Sequence, residues 1–119
     1  MKYACLIYSD ENDPTANPDP TTEAFAPIMT GYMQFGEETQ AAGVYVTGEP
    51  LESTSTATSV QVRNGEIVTT DGPFAETKEQ LGGFYILDCE NLDQAIEWAA
   101  KIPHAASGTI EVRPVPDFG

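Results

Sequence analysis

The chain has 119 residues and carries 19 Asp plus Glu against 5 Lys plus Arg, a formal net charge of −14. That length fits one domain with a single core that needs no disulfide. The charge repels phosphate backbones and anionic lipid, so it argues against nucleic-acid binding and peripheral membrane attachment, and no apolar run is long enough to cross a bilayer.

Lys2 to Tyr8 is apolar on both faces and reads as a central strand. Its start has one charge and no small-residue cleavage site, so it predicts a strand, not a signal peptide. Ser9 to Thr21 is a loop rich in Asp, Asn and Pro. Phe25, Ile28, Met29, Tyr32, Phe35 and Thr39 then recur at helical spacing. Pro27 belongs near the first turn, which places the helix start between Thr22 and Pro27, and Gly43 is positioned to stop it. Val44 to Gly48 is a second strand.

Thr58 to Arg63 and Glu66 to Thr70 flank Asn64-Gly65, the strongest short hairpin signal. A two-residue turn sets Val62 opposite Ile67 and Val60 opposite Thr69. Thr77 to Gln80 has the Thr-x-x-Gln form of a capping box and predicts one helical turn. Gly82 to Asp88 is the next strand. Asn91 caps a second helix with the apolar face Leu92, Ala95, Ile96, Ala99 and Ile102, ended by Pro103. Trp98 beside that face reads as core packing, and Gly108 to Arg113 is the last strand. Residues 1–119 thus form one domain of order β-α-β, hairpin, β-α-β. This predicts an α+β, ferredoxin-like βαββαβ fold with an inserted β-hairpin: a four-stranded antiparallel sheet with both helices on one face. The other face keeps apolar side chains, and a second copy of the chain is its simplest cover.

The run Thr69 to Tyr85 contains Asp71-Gly72-Pro73-Phe74-Ala75-Glu76-Thr77-Lys78-Glu79, a carboxylate on a tight corner followed by an aromatic and a charged turn. This block resembles the DGPF signature of the YCII-related (YciI-like) proteins. The resemblance extends to Met1-Lys2-Tyr3, Ala41-Ala42-Gly43-Val44 and Gly108-Thr109-Ile110-Glu111-Val112-Arg113-Pro114. It implies a dimeric α/β barrel, a homodimer, and a cleft of His and Asp in the wider family. DGPF proteins also resemble accessory modules found alongside sigma-factor regulators.

Ile67, Thr69 and Asp71 share a strand face, and Ile67 faces Val62. Strand parity therefore predicts Asp71 at the rim of the buried side, where desolvation would suit a general acid or base. The alternative is a carboxylate that caps the following turn. His104 is the single histidine. A surface position near a helix end is the ordinary reading, yet the βαββαβ order puts Tyr8, Asp10, Asp71 and His104 at one end of the sheet. The candidate site is thus Asp71 and His104 as catalytic residues, with Tyr8, Asp10, Phe74 and Lys78 around a ligand. Lys78 could instead pair with its neighbouring glutamates, and Arg113 with Glu111 at the dimer seam. No metal site is expected: Asp10 to Asp13 lacks the glycine and distal Glu of a calcium loop, and one His with two separated cysteines makes no transition-metal set. No cofactor motif occurs. Cys5 and Cys89 are expected to be free thiols in a reducing cytoplasm, roughly 13 Å apart along the sheet at strand rise. Two functions remain open. One is a cofactor-free acid–base enzyme of small molecules, of isomerase or lyase type. The other is a non-catalytic ligand-binding or regulatory module.

Overall fold

In β1, Lys2–Ser9, every second side chain is buried: Tyr3, Cys5, Ile7 and Ser9 point inward and Ala4, Leu6 and Tyr8 point the other way. The computed structural model, which describes residues 1–119, shows why. β1 is central in a four-stranded sheet of order β2-β5-β1-β6, where β2 is Tyr45–Pro50, β5 Gln80–Asp88 and β6 Thr109–Pro114. All three pairings are antiparallel, as a ferredoxin-like α+β arrangement requires. Helices α1, Phe25–Ala41, and α2, Leu92–Ala99, cover the face carrying Tyr3, Cys5, Ile7 and Leu87. Phe35, Leu87 and Ile102 are the largest fully buried apolar side chains, each worth roughly 1.5–3 kcal/mol of burial. Phe35 anchors α1 through tilted contact with Tyr85, centroids 4.8 Å apart, and an edge contact with Trp98 at 6.2 Å. Trp98 is half-buried, with the Lys101 ammonium 4.8 Å above its ring.

Local signals act as their chemistry dictates. Asn91 Oδ1 accepts from the Gln94 N–H at 2.9 Å and starts α2. Asn64 and Gly65 take φ of 53° and 77° and join β3, Thr58–Arg63, to β4, Glu66–Asp71. The register sets Val62 against Ile67 and Val60 against Thr69. Both cysteines are free and buried. The helical turn expected at Thr77 does not form. The Gln80 side chain donates to the Thr77 carbonyl at 2.6 Å and accepts from the Glu11 N–H at 2.9 Å, so it cannot reach back to cap Thr77, and Gln80 opens β5. On α2, Leu92 and Ile96 stay half exposed because the short helix turns only Ala95 and Ala99 fully inward.

The hairpin β3–β4 forms its own two-stranded sheet and stands apart from the main one. This overturns the expected burial of its apolar face: Val60, Val62 and Ile67 are 62, 60 and 75 % exposed. The chain is a slab of 48 × 46 × 19 Å with a radius of gyration of 16.2 Å, against about 13.5 Å for a compact domain of this length. Its 8204 Å² of accessible surface exceeds by about 1,900 Å² the roughly 6,300 Å² typical of a monomer of its mass.

Candidate functional site

Helix α1 does not lie flat on the sheet. A cavity of about 340 Å³ opens between its inner face and strands β2, β5 and β1, within the size range of small-molecule sites. Glycines make the room. Gly82 and Gly83 leave strand backbone bare as one wall, Gly48 gives place to the Tyr85 ring, and Gly36 leaves a gap in the helix opposite. A Cβ at Gly36 would meet nothing within 4 Å, whereas one at Gly48 would lie 2.4 Å from the Tyr85 ring. The register slips between Ile7 and Tyr8 where β5 carries an extra residue, and again between Tyr45 and Thr47. Such bulges bend strands and often border sites.

A bonded polar chain forms one end of the cavity. His104 lies in a single 3-10 turn, Pro103–Ala105, between α2 and β6. Gly31 admits that turn against α1: a Cβ there would sit 3.0 Å from Pro103 Cγ. The approach brings His104 Nδ1 to 2.5 Å from the Tyr32 hydroxyl. On the other side of the ring, Nε2 lies 3.0 Å from the Ala16 carbonyl and 3.1 Å from Asn17 Oδ1. Both partners are acceptors, so Nε2 carries the proton, and in the neutral imidazole Nδ1 accepts from Tyr32. The Asn17 amide nitrogen donates to Ser9 Oγ at 3.0 Å and to the Asp10 carbonyl at 2.8 Å, which fixes its Oδ1 toward His104. Ser9, Asn17, Tyr32 and His104 all line the cavity. Burial, and then Tyr85 beside it, pushes the Tyr32 phenol above its usual range, so it stays protonated.

The loop before α1 is tied down to hold Asn17. Asp13 Oδ1 accepts from the Thr15 N–H at 2.9 Å and hydroxyl at 2.6 Å, and these bonds hold its carboxyl below the ordinary range. Ala16, in the same loop, is buried at 2 % exposure. Glu11 accepts from the Thr54 N–H and hydroxyl, both at 2.7 Å.

Of the residues expected from sequence, the structure brings His104 to this site and leaves Asp71 outside it. Asp71 ends β4 opposite Thr58, exposed, and its carboxylate accepts no hydrogen bond. The corner after it closes without that side chain: the Gly72 N–H donates to the Ala57 carbonyl at 2.7 Å and Ser59 Oγ to the Gly72 carbonyl at 2.8 Å, with Gly72 at φ 94°. Tyr8 pairs with Leu81 and Thr109 on the sheet face away from the helices. Asp10 supports the loop through its carbonyl and through Oδ1, which accepts from the Asn12 N–H. Phe74 is 90 % exposed, and Lys78 is exposed with no carboxylate partner. Arg113 pairs with Glu111 of its own strand at 3.8 Å. Sequence reasoning missed Tyr32, Asn17 and Ser9 as site residues. The Gly82-Gly83 pair inside a strand was the available signal, since strand glycines mark close approach or a ligand.

The sheet order and the helix layer define a ferredoxin-like α+β protein with an open cleft under α1. The YCII-related domain model matches residues 1–119, and the chain belongs to that family. It is also 37 % identical over 117 residues to an uncharacterized protein of Rhizobium meliloti (strain 1021), covering 97 % of this chain and 92 % of that one. No helix is long and apolar enough to cross a membrane.

Proposed function

We propose that the chain binds a small organic molecule in the cavity under α1 and exchanges a proton with it through Tyr32, with His104 behind it. The observation that carries this is the 2.5 Å contact of the Tyr32 hydroxyl with His104 Nδ1 at the cavity wall. A proton leaving the ligand is taken by the Tyr32 oxygen while the Tyr32 proton passes to Nδ1. The resulting imidazolium faces three acceptors: Ala16 O, Asn17 Oδ1 and Tyr32 Oη. Return of the proton to another ligand atom is an isomerisation; departure of a leaving group is an elimination. The proposed activity is therefore of cofactor-free isomerase or lyase type. The second reading, a binding or regulatory module, is favoured by one observation: no carboxylate side chain joins the pair inside the cavity.

The test is a metabolite-binding screen followed by ligand C–H exchange in D₂O, in wild type and Tyr32→Phe. Relay chemistry predicts exchange in wild type and its loss in the variant when both are saturated with ligand. Binding without exchange in either protein supports the module.

The proposal includes a homodimer. The excess surface of about 1,900 Å² per chain would make a two-sided interface in the obligate class. A second copy would cover Leu6, Phe84 and Ile86 on the open sheet face and the hairpin face of Val60, Val62 and Ile67. Asp71 shares that hairpin face, so any catalytic part it plays is at a site completed across the dimer. Sedimentation equilibrium at micromolar concentration should give twice 12.8 kDa; monomer alone would sink the dimer.

A further inference from the structure

The cavity under α1 has no formally charged side chain facing into it. The five cations, Lys2, Arg63, Lys78, Lys101 and Arg113, are all outside its lining. Glu49 borders it through its main chain: it pairs with Phe84, on the sheet face opposite the helices. A carboxylate or phosphate entering would lose its hydration with no counter-charge to replace it, a large penalty, inside a molecule of net charge −14.

The polar groups that remain define what a ligand must present. Asn17 spends its amide on Ser9, Asp10 and His104. Tyr32 gives its proton to Nδ1, which leaves its oxygen free to accept. Ser9 accepts from Asn17, and its own hydroxyl proton goes to no protein group, so it is free to donate. One acceptor and one donor thus stand at the polar end. The rest is a slot: bare backbone at Gly82 and Gly83 and the Tyr85 ring over Gly48 on one side, α1 on the other, with Tyr45 and Tyr85 meeting edge-on at 6.3 Å. A slot lined by two tyrosine rings suits a planar ring, because aromatic side chains favour aromatic contact.

We infer that the cavity selects an uncharged planar ring compound bearing a hydroxyl at the Tyr32–Ser9 end, and rejects the corresponding anions. This rests on the proposed function only in placing the ligand in this cavity. The test is titration of the intact protein with phenol, anisole, benzoate and phenyl phosphate at pH 7. Binding is followed by backbone amide shifts and by the His104 ring signals, in wild type and in Gly36→Leu, which fills the slot. Phenol should shift the signals of Tyr32, Tyr85 and His104 in wild type and lose that effect in Gly36→Leu. Anisole, which cannot donate, should bind at least threefold more weakly, and benzoate and phenyl phosphate at least tenfold more weakly. Equal or tighter binding of either anion in the cavity, or of anisole, overturns the selectivity and leaves the site standing. Failure of all four to perturb the cavity residues, or shifts that persist in Gly36→Leu, overturns the site reading and this inference together.

Discussion

Gly36 sits well inside a 17-residue helix, where glycine is disfavoured relative to alanine by about 1 kcal/mol. Nothing in the fold requires it there for lack of space, since a Cβ would meet no atom within 4 Å. Its backbone is not left-handed either. What a side chain would enter is the cavity. Gly36→Ala should therefore stabilise the chain by about 1 kcal/mol, which for 119 residues is a rise in Tm of about 4 °C. The same methyl group narrows the slot, so phenol binding should weaken while stability improves. Urea denaturation and calorimetry at fixed protein concentration measure the first effect, and the titration described above the second. A fall in stability would refute the reasoning, because it would mean that the helix and sheet close on each other in solution and the cavity is filled. A gain in stability with unchanged binding would place the ligand elsewhere.

Gly108→Ala should be severe: its Cβ would lie 2.1 Å from the Tyr8 carbonyl oxygen and 3.1 Å from Ser9 Cα. Both are backbone, so β6 must part from β1, at a cost of about 3 kcal/mol or more; a Tm near wild type would contradict this contact. Asn17→Ala removes the bonds to Ser9, Asp10 and His104 and should cost about 1–3 kcal/mol by urea denaturation. It should also move the His104 Nε2–H resonance; an unchanged resonance would show that Asn17 does not accept that proton. Burial, with Cys89 nearby, pushes the Cys5 thiol from 9.0 up to about 11, and Cys89, Tyr32 and Tyr85 are raised in the same direction. The folded chain holds these protons more tightly than the unfolded one, so their contribution is complete below about pH 9 and is lost as pH climbs toward 11. Cys5 alone should account for roughly 2–3 kcal/mol of that decline. Urea midpoints from pH 8 to 11 should fall less steeply in Cys5→Ala, and parallel slopes would count against it. At neutral pH both thiols should resist a thiol reagent until the chain is denatured.

The elements were legible because each carries its own local cause. Asn64-Gly65, Asn91, Gly43 and the alternation of β1 act over a few residues, and the structure puts them where the sequence does. Strand parity also assigned Asp71 to the right hairpin face. It failed at the next step, because parity states which residues share a face and not what that face meets. The hairpin is a separate two-stranded unit, and its apolar side lies open within one chain. His104 was legible through topology, as the lone histidine at the sheet end that gathers the loops. Its partners were not. Tyr32 looks like one more apolar residue on the α1 stripe, and Asn17 like loop polarity, until Gly31 lets Pro103 pack where a Cβ would lie 3.0 Å from its Cγ. That contact joins positions 72 residues apart, beyond what any local pattern records.

The thinness of the molecule has a thermodynamic reading. A slab 19 Å deep holds one sheet and one layer of helices, and only 14 of its 119 residues are buried. Most of what could stabilise it is surface still facing water. Its folding free energy is then open to mass action: each tenfold rise in concentration of anything that covers that face adds up to about 1.4 kcal/mol once sites are saturated. If the cover is a second copy, dilution acts as a denaturant. The Tm would drift with protein concentration, and any stability quoted for this chain would carry a molarity with it.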